Sequence, residues 1–219
     1  MAYLLRVVLP DRPGALGAVA TALGAVGGDI LSVDVIERSS GLAVDDLVVE
    51  LPPGKLPDTL VSAAAAVDGV SVETIGSYAG QLDPHRELEL LDALASHPDD
   101  PLQLLANGIA RVFRAGWAVI LHPPVNGTAA VAAASVAAPQ LVALATPWWP
   151  PHPARSLADL DGWAPADWVK LDTELAVAPL GPGALLLGRP AMRWLPGELI
   201  HLNHLAGIAA SVTGARPEA

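Results

Sequence analysis

Apolar positions in the first 78 residues follow two periods, one of two residues and one of three to four residues. Alternation predicts strands, whereas apolar residues three or four positions apart predict the buried face of a helix. The predicted strands are residues 3–9, 29–38, 42–51 and 69–78, and the predicted helices are residues 14–28 and 56–67. The pair Gly27-Gly28 at the end of the first helical stretch is typical of a helix end.

These six elements predict the order strand, helix, strand, strand, helix, strand within 80 residues. That order is the ferredoxin-like unit. The sequence therefore predicts an α+β fold with a first domain over residues 1–80. Residues 79–86 are predicted as a linker.

The rest of the chain shows a second set of patterns that predicts a mixed helix and strand domain over residues 84–213. Residues 146–153, "TPWWPPHP", predict a rigid loop because proline cannot occupy a helix interior. All six tryptophans follow residue 116, which indicates a separate core. The predicted helices are 85–97, 100–116 and 194–212, and the predicted strands are 117–123, 128–136 and two within 168–190.

Composition and charge exclude several classes of function. The chain is 52% hydrophobic and 16% charged, so it can bury a core, and its net charge is -11 without a basic patch. Direct nucleic-acid binding is therefore not expected. No cysteine is present, which excludes disulfides and cysteine-based metal sites. No signal peptide is recognisable and the longest apolar run, 129–145, is interrupted by Pro139, so we expect a cytoplasmic protein without a membrane span.

The stretch Asp11-Arg12-Pro13-Gly14 precedes the first predicted helix. Pro13 suits the first helical position. The backbone N–H groups that follow, at Gly14, Ala15 and Leu16, could then bind a carboxylate or phosphate at the positive end of the helix. Asp11 could accept a hydrogen bond from an ammonium group. The alternative is an ordinary turn in which Asp11 only caps the helix.

Residues 3–78 resemble an ACT domain, through "DRPGALGAVATAL" (11–23) and "GGDILSVDV" (27–35). The resemblance implies a regulatory module that binds an amino acid and pairs into a dimer, with the ligand at a subunit or domain interface. Asp29 stands where many amino-acid-binding members have asparagine. The ligand-binding residues that the resemblance implies are Asp11, Arg12, Pro13, Gly14, Ala15, Leu16, Gly28, Asp29 and Ile30.

Residues 84–213 more weakly resemble a GAF-like domain, through "APLG" (178–181), "GALLLGR" (183–189) and the closing helical stretch. The resemblance implies an α/β sensor module with a pocket on one sheet face. The cysteines of its chromophore-binding and sulfoxide-reducing relatives are absent, and so is an NKFDE-type motif. Four tryptophans could line such a pocket, although core filling is the favoured interpretation: Trp148, Trp149, Trp163 and Trp168.

The sequence predicts no catalytic residue, metal site or cofactor. Glu198, His201 and His204 could share a helix face, but a di-metal bundle needs a second such motif, so a polar helix face is favoured. The carboxylate pairs are interpreted as solvated surface: Asp45-Asp46, Asp99-Asp100 and Asp159/Asp161.

We expect a non-catalytic small-molecule-sensing regulatory protein that binds an amino acid and passes its signal to an unidentified protein partner. One alternative is an accessory subunit of a biosynthetic enzyme with an empty ACT site, which predicts an apolar surface patch. A second is an enzyme with its site in the tryptophan-rich half. That enzyme would require four side chains to meet: Asp161, Asp167, His152 and Arg189.

Overall fold

The computed structural model describes residues 1–78, 85–96 and 99–214. The chain divides into two compact units, Met1–Leu82 and Asp83–Ala219. Residues 79–84 of the predicted linker 79–86, and the ends of the two predicted domains there, lie outside the described residues, and Arg86 at the end of that stretch begins a helix.

The first unit has the predicted order of elements. Its four strands form one antiparallel sheet with the order β2-β3-β1-β4. The elements are β1 (Ala2–Pro10), α1 (Ala15–Ala25), β2 (Asp29–Ser39), β3 (Leu42–Glu50), α2 (Asp58–Ala65) and β4 (Ser71–Ser77). The α+β fold class and the ferredoxin-like arrangement are confirmed.

Alternation within the strands directs one set of side chains into the core of this unit. Leu5 and Leu47 lie on that face of β1 and β3, and both are fully buried. They pack with Leu23 of α1 and Leu60 of α2, which are also fully buried. Each such leucine contributes about 1.5–3 kcal/mol to the free energy of unfolding.

Helix α1 ends in the glycine pair that the sequence indicates. Gly27 takes the left-handed conformation, with φ +85°. Its N–H donates to the Gly24 carbonyl at 2.9 Å, and the N–H of Gly28 donates to the Leu23 carbonyl at 2.9 Å. These two bonds form the Schellman motif, which satisfies the last helix carbonyls and turns the chain into β2.

The second unit contains a six-stranded antiparallel sheet with the order β7-β6-β5-β10-β9-β8. The predicted strands around residues 181–183 are confirmed as β9 and β10. The short β7, β8 and α5 were not predicted, because three to five residues cannot establish a period. The elements are α3 (Arg86–Ser96), α4 (Pro101–Val112), β5 (Trp117–Leu121), β6 (Thr128–Ala134), β7 (Ala143–Ala145), β8 (Arg155–Leu157), α5 (Ala166–Lys170), β9 (Thr173–Leu180), β10 (Gly183–Pro190) and α6 (Pro196–Val212).

The two faces of this second sheet are covered differently. Helices α3, α4 and α6 cover one face, where Leu185 and Leu187 of β10 join Ile109 and Leu202 in one cluster. The opposite face is covered by loops and α5, with a cluster that includes Trp117 and Trp168.

Candidate functional site

The loop after β1 leads into α1 through Gly14, the N-cap residue, which takes the left-handed conformation with φ +89°. The prediction that Pro13 occupies the first helical position is wrong. Pro13 precedes the N-cap, because the left-handed turn at Gly14 must be completed before helical geometry begins at Ala15. The Ala15 N–H donates to the Arg12 carbonyl at 3.2 Å. Contrary to the prediction, this N–H group is therefore not free to bind a ligand. Within the described residues, the N–H groups of Gly14 and Leu16 have no acceptor.

Asp11 at the start of this loop forms hydrogen bonds through both its backbone and its side chain. Its N–H donates to the Gly41 carbonyl at 2.9 Å, which ties the loop to the turn between β2 and β3. Its carboxylate oxygen Oδ1 accepts hydrogen bonds from Nε of Arg38, at 3.0 Å, and from Nη2 of Arg38. The hydrogen bond to Asp11 raises the pKa of the Arg38 guanidinium. The predicted acceptor for an ammonium group therefore already binds a cation from its own chain.

The other half of the predicted site lies at the opposite end of the sheet. Asp29 and Ala2 both pair with Glu50, whereas Pro10, next to Asp11, pairs with Leu42. Eight residues of strand separate the two ends, which is about 27 Å. One copy of the chain therefore holds the predicted site residues in two separate groups. One group is Asp11, Arg12, Pro13, Gly14, Ala15 and Leu16, and the other is Gly28, Asp29 and Ile30.

A cavity of about 420 Å³ lies beside Asp29 at this second end. The Met1 amino group donates to the Leu51 carbonyl at 2.9 Å at its wall. Asp29 and Glu50 give the cavity an acidic lining. Its lining residues are Met1, Gly27, Asp29, Glu50, Leu51, Pro52 and Pro53.

The expectation that Asp45 and Asp46 form solvated surface is wrong. Asp45 is 3% exposed and Asp46 is fully buried, because β3 lies inside the sheet between β2 and β1. Asp46 binds the fully buried Arg6, whose Nε and Nη2 donate to its two oxygens at 2.7 and 2.9 Å. The signal was present in the sequence: Arg6 and the aspartate pair each interrupt an otherwise apolar strand.

Asp45 points to the face of the sheet opposite to that of its neighbour Asp46. Its closest partners across the strands are Val7 and Val35. Its oxygen Oδ1 is buried and has no hydrogen-bond partner. Burial, the charge of Asp46 and the more distant Asp11 raise the pKa of the Asp45 carboxyl, and Arg38 opposes that rise. The sequence does not single out this residue as part of the candidate site.

Glu198 and His201 of α6 in the second unit are engaged in structural contacts. Glu198 accepts hydrogen bonds from Nη1 and Nη2 of Arg189 at 2.8 and 2.7 Å and from the Leu195 N–H at 2.9 Å. His201 contacts Glu87 at 3.1 Å. Within the described residues, no group of three potential ligands could hold a metal ion.

The four residues of the enzyme alternative are not gathered at Arg189. The Arg189 guanidinium stacks on Trp194, 3.8 Å from the ring centroid, and its hydrogen bonds go to Glu198 and to backbone carbonyls. Asp167 instead pairs with Lys170 at 3.2 Å.

The tryptophan side chains of the second unit pack against one another. The rings of Trp117 and Trp168 lie 4.7 Å apart, and Trp148 lies 6.0 Å from Trp149 and 6.1 Å from Trp163. These contacts favour core filling, the preferred interpretation from the sequence.

None of the helices in the described ranges is long and apolar enough to cross a membrane.

Comparison with known proteins identifies the first unit. Residues 3–69 match the ACT domain family. This segment is an ACT domain. The match runs from β1 to the end of α2, it includes the loop at Asp11 and the glycine pair, and it confirms the resemblance seen in the sequence. No curated protein matches the chain.

Several solved structures are similar to the chain at low identity and with low TM-scores. A formyltetrahydrofolate deformylase from Pseudomonas putida KT2440 is 14% identical over 44% of this chain, with a TM-score of 0.30, and the chain spans only 39% of its length. The GAF domain of a phosphoenolpyruvate-protein phosphotransferase from Acinetobacter is 12% identical, covering 60% of this chain and 95% of that one, with a TM-score of 0.43. The chromophore-binding domain of a Stigmatella aurantiaca bacteriophytochrome is 12% identical, covering 98% and 94%, with a TM-score of 0.46.

Proposed function

We propose that the chain is a non-catalytic regulatory protein whose ACT domain binds an amino acid between two copies of the chain. The observation that carries this proposal is the separation of the site into two halves. Asp11 and Asp29 lie at opposite ends of one sheet. If two such sheets pair antiparallel, the half of the site at Asp11 in one copy lies next to the half at Asp29 in the other copy.

Strand β2 supports this pairing because it lies at an edge of the sheet. It exposes three apolar side chains along its length, with 38% of Leu31, 39% of Val33 and 56% of Val35 accessible. An apolar edge strand offers unpaired backbone groups to a second strand. Two copies of β2 paired antiparallel about Asp34 would place Asp29 of one copy opposite Ser39 of the other.

The shared site would suit a zwitterion. Ser39 follows Arg38, which binds Asp11, so Asp29 of the second copy would arrive beside the loop that opens α1. The free N–H groups of Gly14 and Leu16 would bind the ligand carboxylate at the positive end of α1. Asp11 and the incoming Asp29 would accept from its ammonium group.

Regulation would follow from differential affinity. A ligand held by both copies stabilises the paired arrangement over any other, by as much as its affinity for the two arrangements differs. The signal would then pass to a protein partner. The second unit would transmit the signal or sense a second small molecule.

The direct test is thermal unfolding of the full chain, followed by far-ultraviolet circular dichroism, with each of the twenty amino acids. A ligand at 100 times its dissociation constant adds about 2.7 kcal/mol to the free energy of unfolding. Asp11→Ala and Asp29→Ala should each abolish the stabilisation, whereas Asp68→Ala, at an exposed turn of the same unit, should not.

Mixing the two variants tests whether the site is shared. A heterodimer of Asp11→Ala and Asp29→Ala chains would contain one site with both changes and one site with neither. The mixture should therefore regain part of the stabilisation by the amino acid. No regain after subunit exchange would contradict a shared site, and no stabilisation of the unmodified chain by any amino acid would favour the accessory subunit.

A further inference from the structure

Three ionisable side chains lie near the end of the sheet where α1 begins, and they differ sharply in burial. The Arg38 side chain is 66% exposed and that of Asp11 is 28% exposed, whereas Asp45 is 3% exposed. Both hydrogen bonds of Arg38 end on the same oxygen of Asp11. Its third guanidinium nitrogen, Nη1, has no partner within the described residues.

Arg38 and Asp45 are diagonal neighbours in the sheet. Arg38 pairs with Ala43, and Ala43 points to the same face as Asp45, two residues further along β3. The guanidinium group also interacts electrostatically with the Asp45 carboxyl. Arg38 is therefore within reach of two carboxyl groups and binds one of them.

The two contacts available to Arg38 differ in how much each should stabilise the protein. Its contact with Asp11 is an exposed ion pair, which contributes little to stability. The Oδ1 atom of Asp45 is buried without a hydrogen-bond donor, and a buried unsatisfied acceptor is costly. A guanidinium group has five donors in a planar fork, so it can satisfy either carboxylate.

We propose that Arg38 is a two-position latch on the ligand site: it binds Asp11 in the free protein and turns to Asp45 when the ammonium group of a ligand binds Asp11. The inference rests on the proposed function for the nature of that displacing group. Burial raises the pKa of the Asp45 carboxyl and so favours its protonated form, whereas hydrogen bonds from Arg38 favour the carboxylate. The exchange therefore shifts Asp45 toward deprotonation: the O–H bond of its carboxylic acid breaks, the proton leaves to water, and the carboxylate accepts hydrogen bonds from Arg38. Ligand binding then favours proton release.

The surroundings of Asp45 leave few other groups to control its protonation. The charged groups near it are Asp46 in the same strand, Arg38 from β2 and Asp11 from the loop. Its cross-strand neighbours Val7 and Val35 carry no charge, and residues 15–25 of α1 contain no ionisable side chain.

The test uses the ligand-free full chain and follows the carboxyl carbons of aspartate by NMR as the pH is raised. Asp11→Asn removes the first position of the latch, so Arg38 should turn to Asp45 and lower its apparent pKa by about one unit or more, a tenfold change in proton dissociation. Part of any change comes from losing the repulsion between Asp11 and Asp45. Arg38→Gln and the double variant Asp11→Asn/Arg38→Gln measure that part, because neither contains the latch.

The latch requires that Asp11→Asn lower the Asp45 pKa much more with Arg38 present than in the Arg38→Gln background. Equal changes in the two backgrounds, or no change in either, would overturn it and leave a buried water as the partner of Asp45. The outcome is independent of the amino-acid screen. A failed latch leaves amino-acid binding intact, and a failed screen leaves the exchange between Asp11 and Asp45 intact.

Discussion

Arg6 and Asp46 stand directly opposite each other on β1 and β3 and are joined by two hydrogen bonds of 2.7 and 2.9 Å between fully buried side chains. The pair is parallel and bidentate, the strongest geometry for a guanidinium and a carboxylate. It fixes the register of the two central strands, because a slip of one residue would turn one charge to the opposite face.

Asp46→Ala should destabilise the ACT domain by about 3–5 kcal/mol, because it leaves the Arg6 charge buried without this partner. Urea unfolding followed by circular dichroism measures the loss. The matched control is Asp68→Ala, at an exposed turn, which should change stability by less than about 0.5 kcal/mol. A cost for Asp46→Ala as small as that of the control would show that the pair does not hold the sheet.

Asp45→Asn should stabilise the protein at neutral pH, because it removes a carboxyl group whose ionised form is disfavoured by burial. The raised pKa of Asp45 means that the folded state favours the protonated carboxyl. Its stabilising contribution is therefore complete below the unfolded pKa and is lost as the pH rises through the folded pKa. The difference in Tm between the variant and the unmodified chain should grow from pH 4 to pH 8. A constant difference across that range would contradict burial as the cause.

Alanine substitutions at two glycines of the α1 region should change the stability of the protein in opposite directions. A Cβ on Gly28 would lie 2.9 Å from Cγ1 of Val49 and 3.0 Å from the Leu23 carbonyl oxygen, so Gly28→Ala should cost about 1–3 kcal/mol. A Cβ on Gly24 would meet no atom within 4 Å. Gly24→Ala should stabilise the helix by about 0.5–1 kcal/mol. Urea midpoints of the two variants give both signs in one experiment.

Lysines on the exposed edge should prevent pairing of two chains. Val33→Lys/Val35→Lys places two positive charges on β2, which would face the same charges of a second copy. We expect a dimer for the unmodified chain and a monomer for the variant in analytical ultracentrifugation. Val136→Lys changes a valine of the second unit that is 94% exposed and should leave the dimer intact. A variant that still dimerises would place the interface elsewhere.

The ferredoxin-like order was predictable because each of its elements is long enough to show a period. Leu5, Leu23, Leu47 and Leu60 follow those periods and form the core. The strands β7 and β8 have three residues each and were missed, since their pairing depends on neighbours distant in the sequence.

The candidate site was only partly predictable. The loop residues were indicated by the local sequence as well as by the family resemblance, and the start of β2 by the resemblance alone, but neither could show that one chain holds the two groups apart. Asp45 was misjudged because burial depends on the place of β3 within the sheet. The binding of Asp11 by Arg38 joins residues 27 positions apart and follows from the return of β2 to the loop.

The unequal distribution of aromatic residues gives each unit its own optical signal. All six tryptophans belong to the second unit, whereas both tyrosines, Tyr3 and Tyr78, belong to the first. Fluorescence excited at the red edge of tryptophan absorption therefore reports on the second unit alone. An amino acid that binds the ACT domain and changes that emission would make signal transfer between the units visible without any attached dye.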